Sequence, residues 1–114
     1  MKLWNRSRQT LLAEDVRVAN TFFSRLKGLL GTSELPQGQG LWIKPCDSIH
    51  MFGMQYAIDV IFVDEQGGVV KLVEDLRPGR LAGCSGASGA IELPSGWVKV
   101  AGVSIGDMLE IEKS

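Results

Sequence analysis

Apolar positions along this chain recur mainly with a period of two, in runs too short for helices. The clearest are "AIDVIFV" (57–63), interrupted only by Asp59, and "GVVKLVE" (68–74). The short "DEQG" between them marks a hairpin, because two β-rich runs joined by a glycine-containing loop close on each other. "TLLAEDVRV" (10–18) reads as a further strand, with Val16 and Val18 on one side and Arg17 on the other. "LWIK" (41–44) reads as a short strand ending at Pro45, and "AIELP", "WVKVA" and "DMLEIE" as three more, the last two separated by the turn segment "GVSIGD". Glu92, between Ile91 and Leu93, is assigned by this alternation to a solvent face.

One stretch changes period. Asn20 or Thr21 is placed to cap a helix, since a side-chain oxygen there satisfies an orphan backbone N–H. Phe22, Leu26, Leu29 and Leu30 follow at helical spacing and predict one buried face, opposite Ser24, Arg25 and Lys27. Gly31 stands where a left-handed C-cap residue is expected. "ELPQGQG" (34–40) and "RPGRLAGCSGASG" (77–89) read as loops. The pattern predicts a mainly β fold: a small β-sandwich or partly closed barrel of about seven short strands, with one α-helix at about residues 20–31. Residues 1–9 are expected to be a flexible N-terminal segment, and 10–114 a single β domain.

Composition sharpens this only slightly. At 114 residues the chain has the size of one domain. Its 14 glycines are about twice the usual share of roughly 7%, which fits many tight turns between short strands. Twelve basic and 13 acidic residues leave a net charge of −1, without the clustered positive stripe that nucleic-acid binding uses. No stretch approaches the roughly 18 apolar residues of a membrane span. "MKLWNRSRQT" has positive charge but no apolar run behind it, so a cytoplasmic location is expected. There, the two cysteines, Cys46 and Cys84, are expected as free thiols.

Candidate chemistry concentrates in "CDSIHMFGM" (46–54), which spaces Cys46, His50 and Met54 by four. His50 is the only histidine. Thiolate, imidazole and thioether together suit copper(I), or zinc with a further ligand. Positions four apart in a straight strand, however, lie about 13 Å apart. A common ion would need a bend at Pro45 or Gly53. Without the paired short spacings of a zinc site, the metal set Cys46, His50 and Met54 is a secondary reading, and no cofactor is expected. Cys46 as nucleophile with His50 as base is another secondary reading, with no supporting signature around the cysteine. Asp59 either accepts backbone N–H groups or stands at a pocket mouth, since an unpaired carboxylate is costly to bury.

"FFSRLKGLLG", "CDSIHMFGMQYAIDVIFVD", "IELPSGW" and "GVSIGDMLEI", in that order, make the chain resemble a bacterial and archaeal family, domain of unknown function 192, over about residues 13–112. The resemblance implies a small, mainly β fold of barrel or sandwich character with a single helix, and no assigned activity. It also implies relatives that often carry an export or anchor segment. The leading functional expectation is a small non-enzymatic accessory domain that binds a small ligand or a protein partner. Its cleft is expected near residues 46–59, with Arg25, Trp42, Cys46, His50, Met54 and Asp59 as candidate ligand-binding residues. The alternative is a soft-metal or thiol-dependent enzyme using Cys46 and His50.

Overall fold

The computed structural model describes residues 1–112, so the last two positions of the expected domain lie outside the described residues. Among the described residues the architecture is mainly β and sandwich-like, as expected, but with ten strands and two short helices in place of about seven strands and one helix. A central five-stranded sheet has the order β3 (Asp15–Ala19), β4 (Gln39–Ile43), β9 (Gly89–Pro94), β6 (Ile58–Val63) and β7 (Val69–Leu76). β3 and β4 are parallel, and the other neighbours antiparallel. A three-stranded sheet, β10 (Leu109–Glu112), β1 (Lys2–Asn5) and β2 (Thr10–Ala13), forms a second layer. β5 (Ser48–His50) pairs with β8 (Leu81–Gly83) as a separate ribbon.

The central sheet is covered on both faces, and side-chain alternation divides the core in two. Trp42, Ile61, Val63, Ile91 and Leu93 pack with Leu3, Leu12 and Leu109 of the three-stranded sheet and with Val98 of α2 (Trp97–Ala101). Leu41, Ile43, Ile58, Val60, Phe62 and Ala90 face the other way. They pack against Leu29, Ile49 and Met51, on the side of α1 (Phe22–Lys27) and the β5–β8 ribbon. Burial on two faces explains why β6 and β9 read as nearly continuous apolar runs.

Several expectations need correction. The segment 1–9, expected to be flexible, contributes β1, the middle strand of its sheet, with Leu3 fully buried. "TLLAEDVRV" is two strands in different sheets, broken at Glu14. "WVKVA" is helical despite its β-branched residues. Its geometry is fixed from outside: the Val98 N–H donates to Asp59 Oδ2 at 2.9 Å and Trp97 Nε1 to the Leu12 carbonyl at 2.8 Å. The loop 77–89 contains β8.

The α1 helix is shorter than expected, and its apolar residues are exposed; Leu29, buried as expected, lies beyond its end. Thr21 caps it through a reciprocal bond pair with Ser24, and Gly28 ends it three residues before Gly31. With only six residues, it buries no side chain fully. Phe22, Phe23 and Leu26 are 65%, 78% and 67% exposed, whereas Ser24 and Arg25, expected on the polar face, are half-buried. Among the described residues no helix is long and apolar enough to cross a membrane.

Candidate functional site

The strongest site feature begins with the parity of β9. Ala90 faces the α1 side of the central sheet and Ile91 and Leu93 the other, so Glu92 must point toward α1. Its neighbours in register are Leu41 on β4 and Val60 on β6, both buried. The carboxylate is 5% exposed, and Oε1 has no hydrogen-bond partner among the described residues. Burial pushes the Glu92 carboxyl pKa up to about 7. The solvent-face assignment of Glu92 is therefore wrong, because β9 is a central strand covered on both sides.

Glu92 lines an open cavity of about 510 Å³ between α1 and the segment that follows β4. After Pro45 that segment is pinned at intervals. The Cys46 N–H donates to the Ser88 carbonyl at 3.3 Å, β5 pairs with β8, and the Met51 N–H donates to the Arg80 carbonyl at 2.8 Å. It then turns at Gly53, whose φ of +79° suits glycine, while the Met54 N–H reaches back to the Met51 carbonyl. The chain thus bends around the cavity, and Cys46, His50 and Met54 all line it. Arg25 lines it from α1; its Nη1 donates to the Pro45 carbonyl at 3.3 Å, and its buried Nε has no partner among the described residues. The rim is apolar: Phe22, Leu26, Leu30 and Phe52 line the cavity and are between 39% and 67% exposed. The His50 ring stacks on Phe52 at 6.0 Å.

Trp42 and Asp59 lie elsewhere. Both project from the opposite face of the central sheet. Trp42 packs in the core shared with the three-stranded layer. Asp59 is fully buried and occupied: Oδ1 accepts the Asp75 N–H and Oδ2 the Val98 N–H, each at 2.9 Å. The first bond secures a bulge in β7, and the second the start of α2.

The thiols are quiet. Cys46 and Cys84 are half-buried and unbridged. Burial pushes the Cys46 thiol pKa up, and the thiol donates to the Ser48 carbonyl at 3.1 Å rather than to His50. Among the described residues no three His, Cys, Asp or Glu side chains converge where they could hold a metal ion.

A family profile, that of DUF192, uncharacterized ACR, matches residues 3–111. The chain belongs to the DUF192 family. A curated relative, a UPF0127 protein of Thermococcus sibiricus, is 35% identical over 116 residues, covering 96% of this chain and 74% of that protein. A protein of unknown function from Novosphingobium aromaticivorans superposes with a TM-score of 0.77 at 22% identity, covering 84% of this chain and 74% of the other. A protein of Sinorhizobium meliloti 1021, described as a proposed transcription regulator, also reaches 0.77, at 24% identity over 83% of this chain and 79% of its own. These two likenesses concern the fold.

In this DUF192 domain the residue missed from sequence is Glu92. A usable signal was present: a carboxylate inside "AIELP", a run otherwise too apolar for a strand with one wet face. Phe22 and Leu26 were missed as rim residues because apolar periodicity on α1 reads as core. Nothing in the periodicity states that a six-residue helix ends before it can bury them.

Proposed function

We propose that this chain is a small-molecule-binding domain whose site is the cavity between α1, residues 46–54 and β9. One observation carries the reading. The Glu92 carboxylate is buried beside the cavity with an oxygen that no group among the described residues satisfies. An unsatisfied buried acceptor costs about 1–3 kcal/mol, and more when charged. A ligand donor placed in the cavity removes that cost in the bound state. The cavity volume falls within the range of roughly 300–1,000 Å³ found for small-molecule sites, and its mixture of apolar walls with a few polar groups is their usual composition.

The alternative, thiol chemistry at Cys46, has less support. A thiolate is the reactive form, and burial disfavours it here.

A titration of the ¹⁵N-labelled protein with a fragment set of aromatic amines, amides, alcohols and carboxylates tests the proposal. Amide shifts are expected at Gly28, in residues 46–54 and at Glu92. No shift at millimolar concentration, or shifts centred on α2 and the three-stranded sheet, would refute it.

A further inference from the structure

The cavity holds two unsatisfied groups of opposite kind. On β9, Glu92 Oε1 is a buried acceptor without a donor; on α1, Arg25 Nε is a buried donor without an acceptor. They do not satisfy each other, since no ion pair within 4.0 Å joins them. Arg25 bonds the Pro45 carbonyl through Nη1, and the Glu92 backbone is fixed in a central strand.

A molecule that satisfies both must carry a donor and an acceptor at separate atoms. The donor that best answers a carboxylate in an apolar setting is a cation, because charge-assisted hydrogen bonds are roughly twice as strong as neutral ones. The guanidinium on the other wall suits a carbonyl or carboxylate oxygen. Lys27, Asp47, Ser48 and His50 also line the cavity, and Leu26, Leu30, Phe52 and Met54 are available to cover a hydrocarbon or aromatic body.

Resting on the binding reading above, we propose that the cavity takes a hydrophobic α-amino acid derivative. Its ammonium sits against Glu92, its carbonyl oxygen faces Arg25, and its apolar side chain lies under the rim formed by Leu26 and Phe52.

Three probes of similar body separate the parts: L-phenylalaninamide has amine and carbonyl, phenethylamine lacks the carbonyl, and 3-phenylpropanamide lacks the amine. Calorimetry at pH 7, where the α-amine is still largely protonated, is expected to rank phenylalaninamide at least about tenfold tighter than either truncated probe, since a site built for a polar group rejects the analogue lacking it. Glu92→Gln keeps the shape of the side chain, and is expected to remove that advantage while leaving 3-phenylpropanamide within about twofold. Arg25→Met is expected to weaken phenylalaninamide and spare phenethylamine. Phe52→Ser, at a largely exposed position, is expected to weaken all three. If the truncated probes bind as tightly as phenylalaninamide, or if Glu92→Gln leaves the ranking intact, the amino-acid assignment fails while the cavity reading stands. If neither these probes nor the fragment set bind the cavity, both fail together.

Discussion

Replacing Glu92 with glutamine isolates the most unusual group in the protein. The native carboxyl titrates at about 7, against 4.5 for an unperturbed glutamate, because burial disfavours its charged form. Between those values the unfolded chain has released the proton and the native state still holds it. The native state binds more protons in that window, so Glu92 lowers stability progressively as pH rises from 4.5 to 7. Each pKa unit corresponds to about 1.4 kcal/mol, so the full effect is about 3 kcal/mol above pH 7. Glutamine does not titrate. Arg25, Lys27, Cys46, Asp47 and His50 line the same cavity, and Tyr56 feels the Glu92 charge, but all are common to both proteins. Urea unfolding of the native protein and Glu92→Gln across this range reads the difference. The advantage of Glu92→Gln is expected to grow by about 3 kcal/mol from pH 4.5 to above pH 7, and then to level off. Parallel curves would show that the carboxylate is solvated or paired in solution, and would remove the basis for the site.

Two further substitutions probe the frame that holds the cavity. Asp59→Asn turns one of two buried acceptors into a donor facing a backbone N–H, either at Asp75 or at Val98. A loss of about 3 kcal/mol in urea unfolding is expected, with faster hydrogen exchange at Val98. A loss below about 1 kcal/mol would contradict the assigned role. Gly67→Ala places a Cβ against the Leu109 carbonyl oxygen at a φ of +88°, whereas Gly79→Ala meets open space at a φ of +81°. Thermal melting is expected to show a cost of about 1 kcal/mol at Gly79, from backbone strain alone, and clearly more at Gly67. Equal effects would mean that the 64–68 turn is not clasped against β10.

The hairpin β6–β7, the strand β4 and the last strand are legible because their β-rich runs and the turn residues that bound them are local. What escapes is set by partners distant in sequence. Val98 and Val100 favour a strand, yet the 97–101 segment is helical, with the Val98 N–H at its start donating to Asp59 and the Trp97 indole to the Leu12 carbonyl. Lys2–Asn5 looks like a frayed end because its pairing strand lies at the far end of the chain, with Leu3 opposite Ile111. The cavity was partly legible: Cys46, His50, Met54 and Arg25 line it, while Trp42 and Asp59 project from the sheet's other face.

Asp59 and Glu92 together show what separates a structural carboxylate from a site. Each interrupts a strand that is otherwise apolar and covered on both faces, and from sequence Asp59 is the more conspicuous of the two. Parity decides which face each meets. The register pairs Asp59 with Leu93 and Val60 with Glu92, so the two carboxylates point in opposite directions from adjacent strands. Asp59 meets the bulge of β7 and the first turn of α2, where two backbone N–H groups need an acceptor, and its charge is absorbed by the fold. Glu92 meets a helix too short to close over it and a segment that bends around an open cavity, and among the described residues no donor reaches its Oε1. A carboxylate of the first kind makes a protein stable; one of the second kind makes it less stable, and under the binding proposal it is a ligand that completes it.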